Sequence, residues 1–398
     1  KAERLADAVV PFSFLLAGLV WLVTRNPARA ASVLLVDYSC ALKLSTPLAV
    51  LAAMKEGVGR GVLVKGGRFL ESLAAADAVV FDKTGTLTES RPRVAEVIPG
   101  EGYERDDILR TAACLEEHFP HPVARAVVRK AEQEGLHHQE EHTEVEYVVA
   151  HGIASRLHGK RVLFGSRHYI HHDEGVPVDA MREDIERLAR EGRSILYLAV
   201  DGKLAGLIAI EDPLRPEAAP VIRKLLGRGI RVVMLTGDDE RTAAAVAERL
   251  GISEYRSQVL PTDKAEVIRS LQAEGHTVAM LGDGINDSPA LSAADVGVTL
   301  SDGADLAREV ADVVLTECRL DGLVTAVDLS KAAMRRIRTD FGLIMTLNTV
   351  FLASGLAGFL QPGPSALLHN LTTVGVSLNA MRPMLKAGAE LQLEEVSA

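Results

Sequence analysis

The chain has 398 residues with a formal net charge of −10, and 47% of its residues are hydrophobic. This length predicts two or three domains with ample core, and the negative charge argues against a nucleic-acid-binding surface. The three cysteines, Cys40, Cys114 and Cys318, are far apart in the sequence, which excludes a disulfide framework and a cysteine-rich metal site.

Apolar blocks lie near both ends of the chain. Residues 8–24 and 31–53 form one pair around a short polar hinge, and residues 341–360 and 366–381 form a second pair around a turn. A membrane helix needs about 20 apolar residues, so both pairs are predicted to be transmembrane hairpins, with buried core helices as the alternative. Residue 1 is a lysine that leads straight into the first block, so we interpret the sequence as a piece of a longer protein and not as a signal peptide.

Basic residues give the predicted hairpins an orientation. They cluster on both sides of the second pair and are absent from its turn. By the positive-inside rule, the long middle region is therefore predicted to be cytoplasmic. Arg25 and Arg29, in the hinge of the first pair, go against the rule.

The middle region alternates short β-branched runs with helical patterns, which is typical of a doubly wound parallel sheet in the α/β class. Functional side chains of such a sheet belong at the carboxyl ends of its strands, where Asp82, Thr236 and Asp283 fall. Residues 91–205 differ in composition from the rest of the middle region. They carry more charge, and their predicted strands are amphipathic. They are predicted to form a second, α+β domain inserted after the first strand of the sheet.

Residues 78–88, AVVFDKTGTLT, are the most informative stretch. A short buried strand delivers Asp82 onto a loop of threonine and glycine, whose hydroxyls and backbone N–H groups suit a phosphate. An aspartate in that position can act as a nucleophile and form an acyl phosphate, which splits one hard transfer into two easier ones. A surface turn rich in Thr and Gly is the alternative.

Three further segments carry the groups that phosphoryl transfer needs, namely positioning donors and neutralising charge. Thr236, in TGDD, offers a hydroxyl at a strand end, and Lys264, in PTDKAE, offers a positive charge. Asp283 and Asp287 lie on the glycine-rich turn GDGIND, where oxygen ligands suit Mg²⁺. No G-x-x-x-x-G-K-[ST] segment is present, so a P-loop mechanism is excluded.

In this order, the four segments resemble the haloacid-dehalogenase fold in its P-type ATPase version, over residues 71–90 and 206–330. The resemblance implies that Asp82 is the phosphorylated nucleophile and that Asp82, the Thr84 carbonyl and Asp283 bind Mg²⁺. It also implies that further residues of these loops complete the catalytic site: Lys83, Thr84, Thr236, Gly237, Asp238, Lys264, Asn286 and Asp287.

The same resemblance implies an ATP site in the inserted domain. His121 and Pro122 match the His-Pro dipeptide by which heavy-metal pumps of this family engage adenine, and the remaining matches are Gly152, Gly165, Asp212 and Arg215, the last two in the family's hinge strand. The sequence departs from the family at Pro120, Ala150 and Ser166, where Glu, Gly and Asn are usual. The cluster HHQEEH, residues 137–142, could hold a metal, although a solvated loop is favoured.

An ion site is predicted in the membrane part, because polar groups within a span are costly and functional by default. Residues 37–50 resemble the ion-binding helix of heavy-metal P-type ATPases, with Tyr38, Ser39 and Cys40 in place of the usual Cys-Pro-Cys, and Pro47 is expected to kink the helix. In the last span, Asn370 replaces an acidic residue and Thr372 lies nearby. One thiol with oxygen and amide donors suits Mn²⁺ or Zn²⁺ better than Cu(I).

The prediction is therefore an ATP-driven transporter of a transition-metal cation in a bacterial plasma membrane. Its predicted cofactors are ATP and Mg²⁺, its predicted partner is the lipid bilayer, and no nucleic-acid partner is expected. The predicted parts are a helix pair (1–70), a phosphorylation domain (71–90 and 206–330), a nucleotide-binding domain (91–205), a second helix pair (331–384) and a tail (385–398). The TGE loop of the family's actuator domain is not in this sequence, so that domain and the first core spans are expected partners. The alternatives are a haloacid-dehalogenase-type phosphatase and a truncated nucleotide-binding regulatory fragment.

Overall fold

The computed structural model describes residues 2–36, 38–89, 91–117, 122–136, 142–148 and 152–385, without the side chains of residues 2–10, 39, 142–148 and 285. The chain divides into two compact units. The first comprises Lys1–Ala75, Asp312–Glu317 and Asp321–Ala398, and the second comprises Ala76–Ala311 and Cys318–Leu320.

The described residues form the following elements in chain order. The α-helices are α1 (Ala2–Thr24), α2 (Pro27–Leu35), α3 (Ser39–Val58), α4 (Gly67–Ala75), α5 (Arg105–Glu116), α6 (Pro122–Gln133), α7 (Arg182–Arg190), α8 (Ala218–Leu226), α9 (Glu240–Leu250), α10 (Lys264–Ala273), α11 (Ser288–Ala293), α12 (Asp305–Val310), α13 (Asp321–Ala357) and α14 (Pro362–Ala380). The strands are β1 (Val62–Val64), β2 (Ala78–Asp82), β3 (Arg93–Pro99), β4 (His142–Val148), β5 (Gly152–Leu157), β6 (Lys160–Gly165), β7 (Ser194–Val200), β8 (Lys203–Glu211), β9 (Arg231–Leu235), β10 (Glu254–Arg256), β11 (Val278–Leu281), β12 (Val296–Leu300) and β13 (Val313–Leu315).

The second unit contains a parallel sheet with the order β12-β11-β2-β9-β10. Its strand β2 is buried along its whole length, as expected for a parallel sheet covered on both faces. Ala78 and Val80 join the core with residues of α10, α11 and α12, and the alternating residues Val79 and Phe81 face the other side. The predicted doubly wound parallel sheet is confirmed.

A second sheet lies between β2 and β9 in the sequence. It has six antiparallel strands in the order β3-β8-β7-β6-β5-β4. Residues of α5 and α6 join a core on one side of it and residues of α7 join another. The strand β8 runs to Glu211, so this sheet extends past the predicted domain boundary at residue 205.

The first unit holds the apolar helices and the antiparallel pair of β1 and β13. The predicted block at residues 31–53 is not one helix, since α2 ends at Leu35 and α3 begins at Ser39, one residue before Cys40. Pro47 lies inside α3 without ending it. In contrast, α13 is continuous and carries both the basic cluster and the apolar block.

Two stretches in the described part of the chain are long and apolar enough to cross a membrane, Pro27–Val58 and Asp321–Ala357, and the apolar helix Pro11–Thr24 is shorter. Core helices of soluble proteins and signal sequences pass the same test of length and composition. In the apolar 18-residue segment of each stretch, however, only 38% and 22%, respectively, is buried. Large apolar side chains of α1 such as Phe12 and Leu15 are also exposed, at 70% and 71%.

Candidate active site

The loop after β2 is shaped around a glycine. Gly85 has a φ of +81°, a left-handed conformation that other residues rarely adopt. Its N–H donates to the Thr88 hydroxyl at 2.8 Å. A Cβ at this position would lie 1.9 Å from Oδ2 of Asp283. The loop can therefore approach the turn after β11 only because residue 85 has no side chain.

Three carboxylates meet at the carboxyl ends of the central strands. The strands β2 and β11 pair in parallel with Phe81 opposite Leu281, which brings Asp82 and Asp283 to the same edge of the sheet. Asp82, Asp283 and Asp287 each offer an oxygen within 4.8 Å of the others. Lys264, at the start of α10, donates from Nζ to Oδ1 of Asp82 and to Oδ1 of Asp287, both at 2.7 Å.

The burial of this cluster changes its protonation. Burial raises the pKa of Asp82 to about 7, with Asp287 and Asp283 acting in the same direction and Lys264 opposing them. Burial alone would lower the pKa of Lys264, but the carboxylates of Asp82 and Asp287 outweigh it and raise that pKa. Lys264 contacts two of the three carboxylates, and a further cation would relieve the repulsion among the three.

The donor set fits a hard divalent cation such as Mg²⁺, which prefers carboxylate oxygens. The hydroxyl of Thr86 is buried without a hydrogen-bond partner, so a polar group remains to be satisfied beside the carboxylates. The glycine-rich turn supports the arrangement, because a Cβ at Gly282 would lie 2.8 Å from Cβ of Asp287. Asn286 is exposed on this turn and Thr84 is exposed on the loop after β2.

A second charged group lies at the end of β9. Asp238 accepts hydrogen bonds from the hydroxyls of Thr236, at 2.8 Å, and Ser194, at 2.6 Å. Its Oδ2 also lies 2.5 Å from Nζ of Lys83. Burial opposes ionisation of Asp238, but Lys83 and the two hydroxyls outweigh it and lower its pKa. The neighbouring Gly237 is exposed.

The predicted hinge residues contact the loop that follows β2. Arg215 donates from Nε to the Thr88 carbonyl at 3.0 Å and from Nη1 to the Cys318 carbonyl at 2.8 Å. The Asp212 carboxylate accepts from the N–H of Arg91 at 3.2 Å, and its Oδ2 is buried without a partner. Arg215 therefore holds the backbone of the loop after β2, a role that the sequence did not reveal.

Of the predicted nucleotide contacts, His121 lies outside the described residues. So do Pro120 and Ala150, where the sequence departs from the family, and most of the HHQEEH cluster, which was considered for a metal. Pro122 begins α6. Gly152 and Gly165 lie opposite each other in the pair β5–β6. A Cβ at Gly152 would lie 2.4 Å from the Phe164 carbonyl oxygen, so close strand packing accounts for this glycine.

The predicted ion ligands differ in burial from one another. Cys40 and Asn370 are exposed, and the half-buried Thr372 donates to the Leu368 carbonyl of its own helix at 2.9 Å. The side chain of Ser39 lies outside the described residues. Their assignment as ion ligands stays a prediction.

Two of the buried polar residues in the apolar helices are ones that the sequence analysis missed. Asn348 of α13 and His369 of α14 are 0% and 6% exposed, and their side chains approach to 3.4 Å. A polar residue inside an apolar run was the available signal.

Comparison with known proteins agrees with this geometry. The family model of haloacid dehalogenase-like hydrolases matches residues 76–295. The zinc-exporting P-type ATPase of Mycobacterium marinum is 42% identical over 383 residues, which cover 96% of this chain and 52% of that protein. The manganese-exporting P-type ATPase of Mycobacterium bovis is 41% identical, with 96% and 53% covered. The crystal structure of a zinc-transporting PIB-type ATPase in the E2.Pi state matches with a TM-score of 0.72 and 34% identity, covering 96% of this chain and 63% of that one.

The chain spans about half the length of the curated relatives it matches. The family match contains the β2 loop, the end of β9, Lys264 and the glycine-rich turn, all the elements that surround Asp82. The chain belongs to the haloacid dehalogenase-like hydrolase family, and over nearly its whole length it is similar to the metal-exporting P-type ATPases.

Proposed function

We propose that this chain is the catalytic and carboxyl-terminal membrane part of an ATP-driven metal-cation transporter that forms an acyl phosphate on Asp82. The observation that supports this best is the position of Asp82. It ends a buried central strand, contacts the ammonium of Lys264 at 2.7 Å, and lies beside two further carboxylates. A carboxylate with only a structural role would need the ammonium of Lys264, but it would not need the two further carboxylates beside it.

In the proposed reaction, a carboxylate oxygen of Asp82 attacks the γ-phosphorus of ATP. The new O–P bond forms as the bond from that phosphorus to the bridging oxygen breaks, and ADP leaves with the electron pair. Lys264 holds the carboxylate in position and offsets the charge that develops on the phosphoryl oxygens. The unpartnered hydroxyl of Thr86 would donate to those oxygens, and the Thr236 hydroxyl, which donates to Asp238 here, would have to turn away from it to do the same.

Mg²⁺ would be held by Asp82 and Asp283 with the Thr84 carbonyl, and it would supply charge neutralisation for the transferring group. Asp287 keeps Lys264 in place from the opposite side, since Lys264 donates to both carboxylates. ATP would be carried by the second sheet, near His121, Pro122, Gly152 and Gly165.

The cargo is proposed to be a divalent transition-metal cation, Zn²⁺ or Mn²⁺. Relatives at 41% and 42% identity are named manganese-exporting and zinc-exporting. The buried pair of His369 and Asn348 adds an imidazole and an amide to the predicted thiol and hydroxyl donors, and such mixed N, O and S donors suit borderline divalent ions.

The remaining parts of the proposal concern location and partners. The helix pairs would span the bacterial plasma membrane, with both sheets on the cytoplasmic side. An actuator domain and the first core spans would come from the same protein. The phosphatase alternative predicts Asp82-dependent turnover without any response to a transported ion, and the regulatory-fragment alternative predicts no turnover.

The test is phosphoenzyme formation by the protein expressed in membranes from the complete reading frame that contains this chain. Incorporation of labelled γ-phosphate from ATP is measured with Mg²⁺ across Mn²⁺, Zn²⁺, Co²⁺, Cd²⁺ and Cu⁺. We expect an acid-stable, hydroxylamine-labile label that one ion stimulates and that Asp82→Asn abolishes.

The controls separate the parts of the proposal. Asp106→Asn changes an exposed carboxylate of the second sheet domain that pairs only with its neighbour Arg105 in the contacts described, and it should label as the wild type does. A label that no ion affects would contradict the assignment of a transported cation. The absence of label from the intact protein would contradict the pump function itself.

A further inference from the structure

Ser194 joins the second sheet to the loops that follow β2 and β9, which are called the phosphate loops below. Ser194 is the first residue of β7, and its hydroxyl donates to Oδ1 of Asp238 at 2.6 Å. Lys83 donates from Nζ to the same hydroxyl at 3.3 Å and also contacts Asp238. Serine, lysine and aspartate thus form a closed triangle of hydrogen bonds between the inserted sheet and the parallel sheet.

Both partners of Ser194 lie beside the nucleophile. Lys83 directly follows Asp82, and Asp238 follows β9, whose Leu235 pairs with Asp82. Lys83 is buried, with 5% exposure, and Asp238 and Ser194 are half-buried. Hydrogen bonds to a charged group are about twice as strong as neutral ones. The serine contact is therefore strong enough to affect where these two side chains point.

Two further contacts lie at the same junction between the two sheets. The Thr242 hydroxyl of α9 donates to the Arg193 carbonyl at 3.3 Å, and Arg241 of α9 pairs with Glu186 of α7 at 3.1 Å. The turn before β7 includes Gly192, with a φ of +73°. The segment that carries Ser194 therefore rests on α9, and α9 begins two residues after Asp238.

We propose that Ser194 is a positioning residue for phosphoryl transfer from ATP. Its hydroxyl holds Asp238 and Lys83 in place when the second sheet lies against the phosphate loops. The inference rests on the proposed function, since it assumes that the second sheet carries the nucleotide. The Lys83 ammonium would then be aligned beside Asp82 at the moment when the nucleotide arrives. In that position it can donate to phosphoryl oxygens.

This arrangement predicts a difference between two phosphate sources. Transfer from ATP needs the second sheet against the loops, whereas phosphorylation of Asp82 by inorganic phosphate does not need the nucleotide-carrying sheet. Loss of the serine hydroxyl should therefore slow the first reaction and spare the second. A residue that only stabilises the local fold would affect both reactions alike.

The test compares Ser194→Ala, Ser194→Thr and the wild type in membranes, with the protein expressed from the complete reading frame. We expect Ser194→Ala to slow phosphorylation from ATP by about tenfold, the size expected for one hydrogen bond to a charged group. Phosphorylation from inorganic phosphate should stay within about twofold, and Ser194→Thr should restore most of the ATP rate because it keeps the hydroxyl.

Ser257→Ala is the matched control. The Ser257 hydroxyl donates to Glu240, at the start of α9, at 2.5 Å. The substitution therefore removes a serine–carboxylate hydrogen bond close to the same junction. It should leave both reactions unchanged. Equal effects of Ser194→Ala and Ser257→Ala, equal slowing with both phosphate sources, or no effect of Ser194→Ala would each overturn the proposal.

A second measurement does not depend on catalysis. Hydrogen–deuterium exchange of the nucleotide-free protein should rise in residues 191–196 and 236–242 of Ser194→Ala, and unchanged exchange there would overturn the proposal. If the wild type takes no label from either phosphate source, the proposed function fails, and the exchange result still decides whether Ser194 joins the two sheets.

Discussion

At the scale of single residues, Gly85 and Gly102 offer a matched pair. Both have left-handed backbones, with φ of +81° and +84°, but only Gly85 faces another group, the Asp283 carboxylate. Alanine in a left-handed conformation costs roughly 1–2 kcal/mol at either position. Gly85→Ala must also displace Asp283 and should reduce phosphoenzyme formation by more than about 100-fold, whereas Gly102→Ala should lower stability and leave labelling intact. Equal loss of labelling in both variants would contradict the importance of this close approach.

The carboxylate cluster predicts a response to Mg²⁺ that can be measured without turnover. Because Asp82, Asp283 and Asp287 offer oxygens within 4.8 Å of one another, binding of Mg²⁺ should stabilise the folded protein by mass action, by about 2.7 kcal/mol at 100 times its Kd. The unfolding temperature should rise on addition of Mg²⁺, and Asp283→Asn should largely abolish that rise. Asp305→Asn changes an exposed carboxylate that pairs with Arg308, and its response should equal that of the wild type.

At the scale of elements, Glu96 joins three parts of the second sheet domain. It lies on β3 and accepts from Arg187 of α7 at 2.9 and 3.0 Å and from Arg193, before β7, at 3.1 Å. These hydrogen bonds and the positive charge outweigh partial burial and lower the pKa of Glu96 below its ordinary value of 4.5. A lowered pKa stabilises the fold at pH values above the unfolded-state pKa, and the contribution is lost as the pH falls through the folded-state pKa.

Glu96→Gln should therefore reduce the free energy of unfolding at pH 7 by up to about 1 kcal/mol, a modest value because the pair is more than one-third exposed and solvent screens it. The difference from the wild type should shrink as the pH falls below the ordinary value of 4.5 and through the lowered folded-state pKa. Glu211→Gln, which removes the more exposed partner of Arg93, should have a smaller effect. Thermal unfolding from pH 7 to pH 3.5 measures both variants, and a difference that does not decrease toward acid pH would contradict this explanation.

At the scale of the whole molecule, transport requires that an ion site in the apolar helices control chemistry at Asp82. His369→Ala should lower ion-stimulated phosphorylation from ATP by at least about tenfold, because a buried side chain that we propose as a ligand of the cargo is lost. Phosphorylation by inorganic phosphate, which needs no cargo, should remain. Thr346→Ala removes an exposed hydroxyl that donates to the Gly342 carbonyl of its own helix and should change neither reaction. Loss of both reactions in His369→Ala would indicate a folding role instead.

Much of the fold and the core of the site followed from local sequence. Residues 78–82 are a continuous apolar run ending in aspartate, and a run of that kind becomes a buried parallel strand with its functional group at the carboxyl end. The same reasoning located Thr236 and Asp283, and the structure brings Asp82, Asp283, Asp287 and Lys264 together as expected. In each case the group follows a strand or begins a helix, so chain order and sheet geometry determine its position.

Tertiary packing alone decided the rest. Ser194 meets Asp238 across a sequence separation of 44 residues, and no periodicity indicates which strand end of an inserted sheet will touch the loops of the other sheet. Residues 369 and 370 are both polar, but successive residues of a helix point about 100° apart. Only the packing of α14 against its neighbours buries His369 and exposes Asn370. The sequence by itself thus determined the chemistry around Asp82, because that chemistry rests on short segments at strand ends, whereas the contacts that hold those segments depend on which faces of distant elements meet.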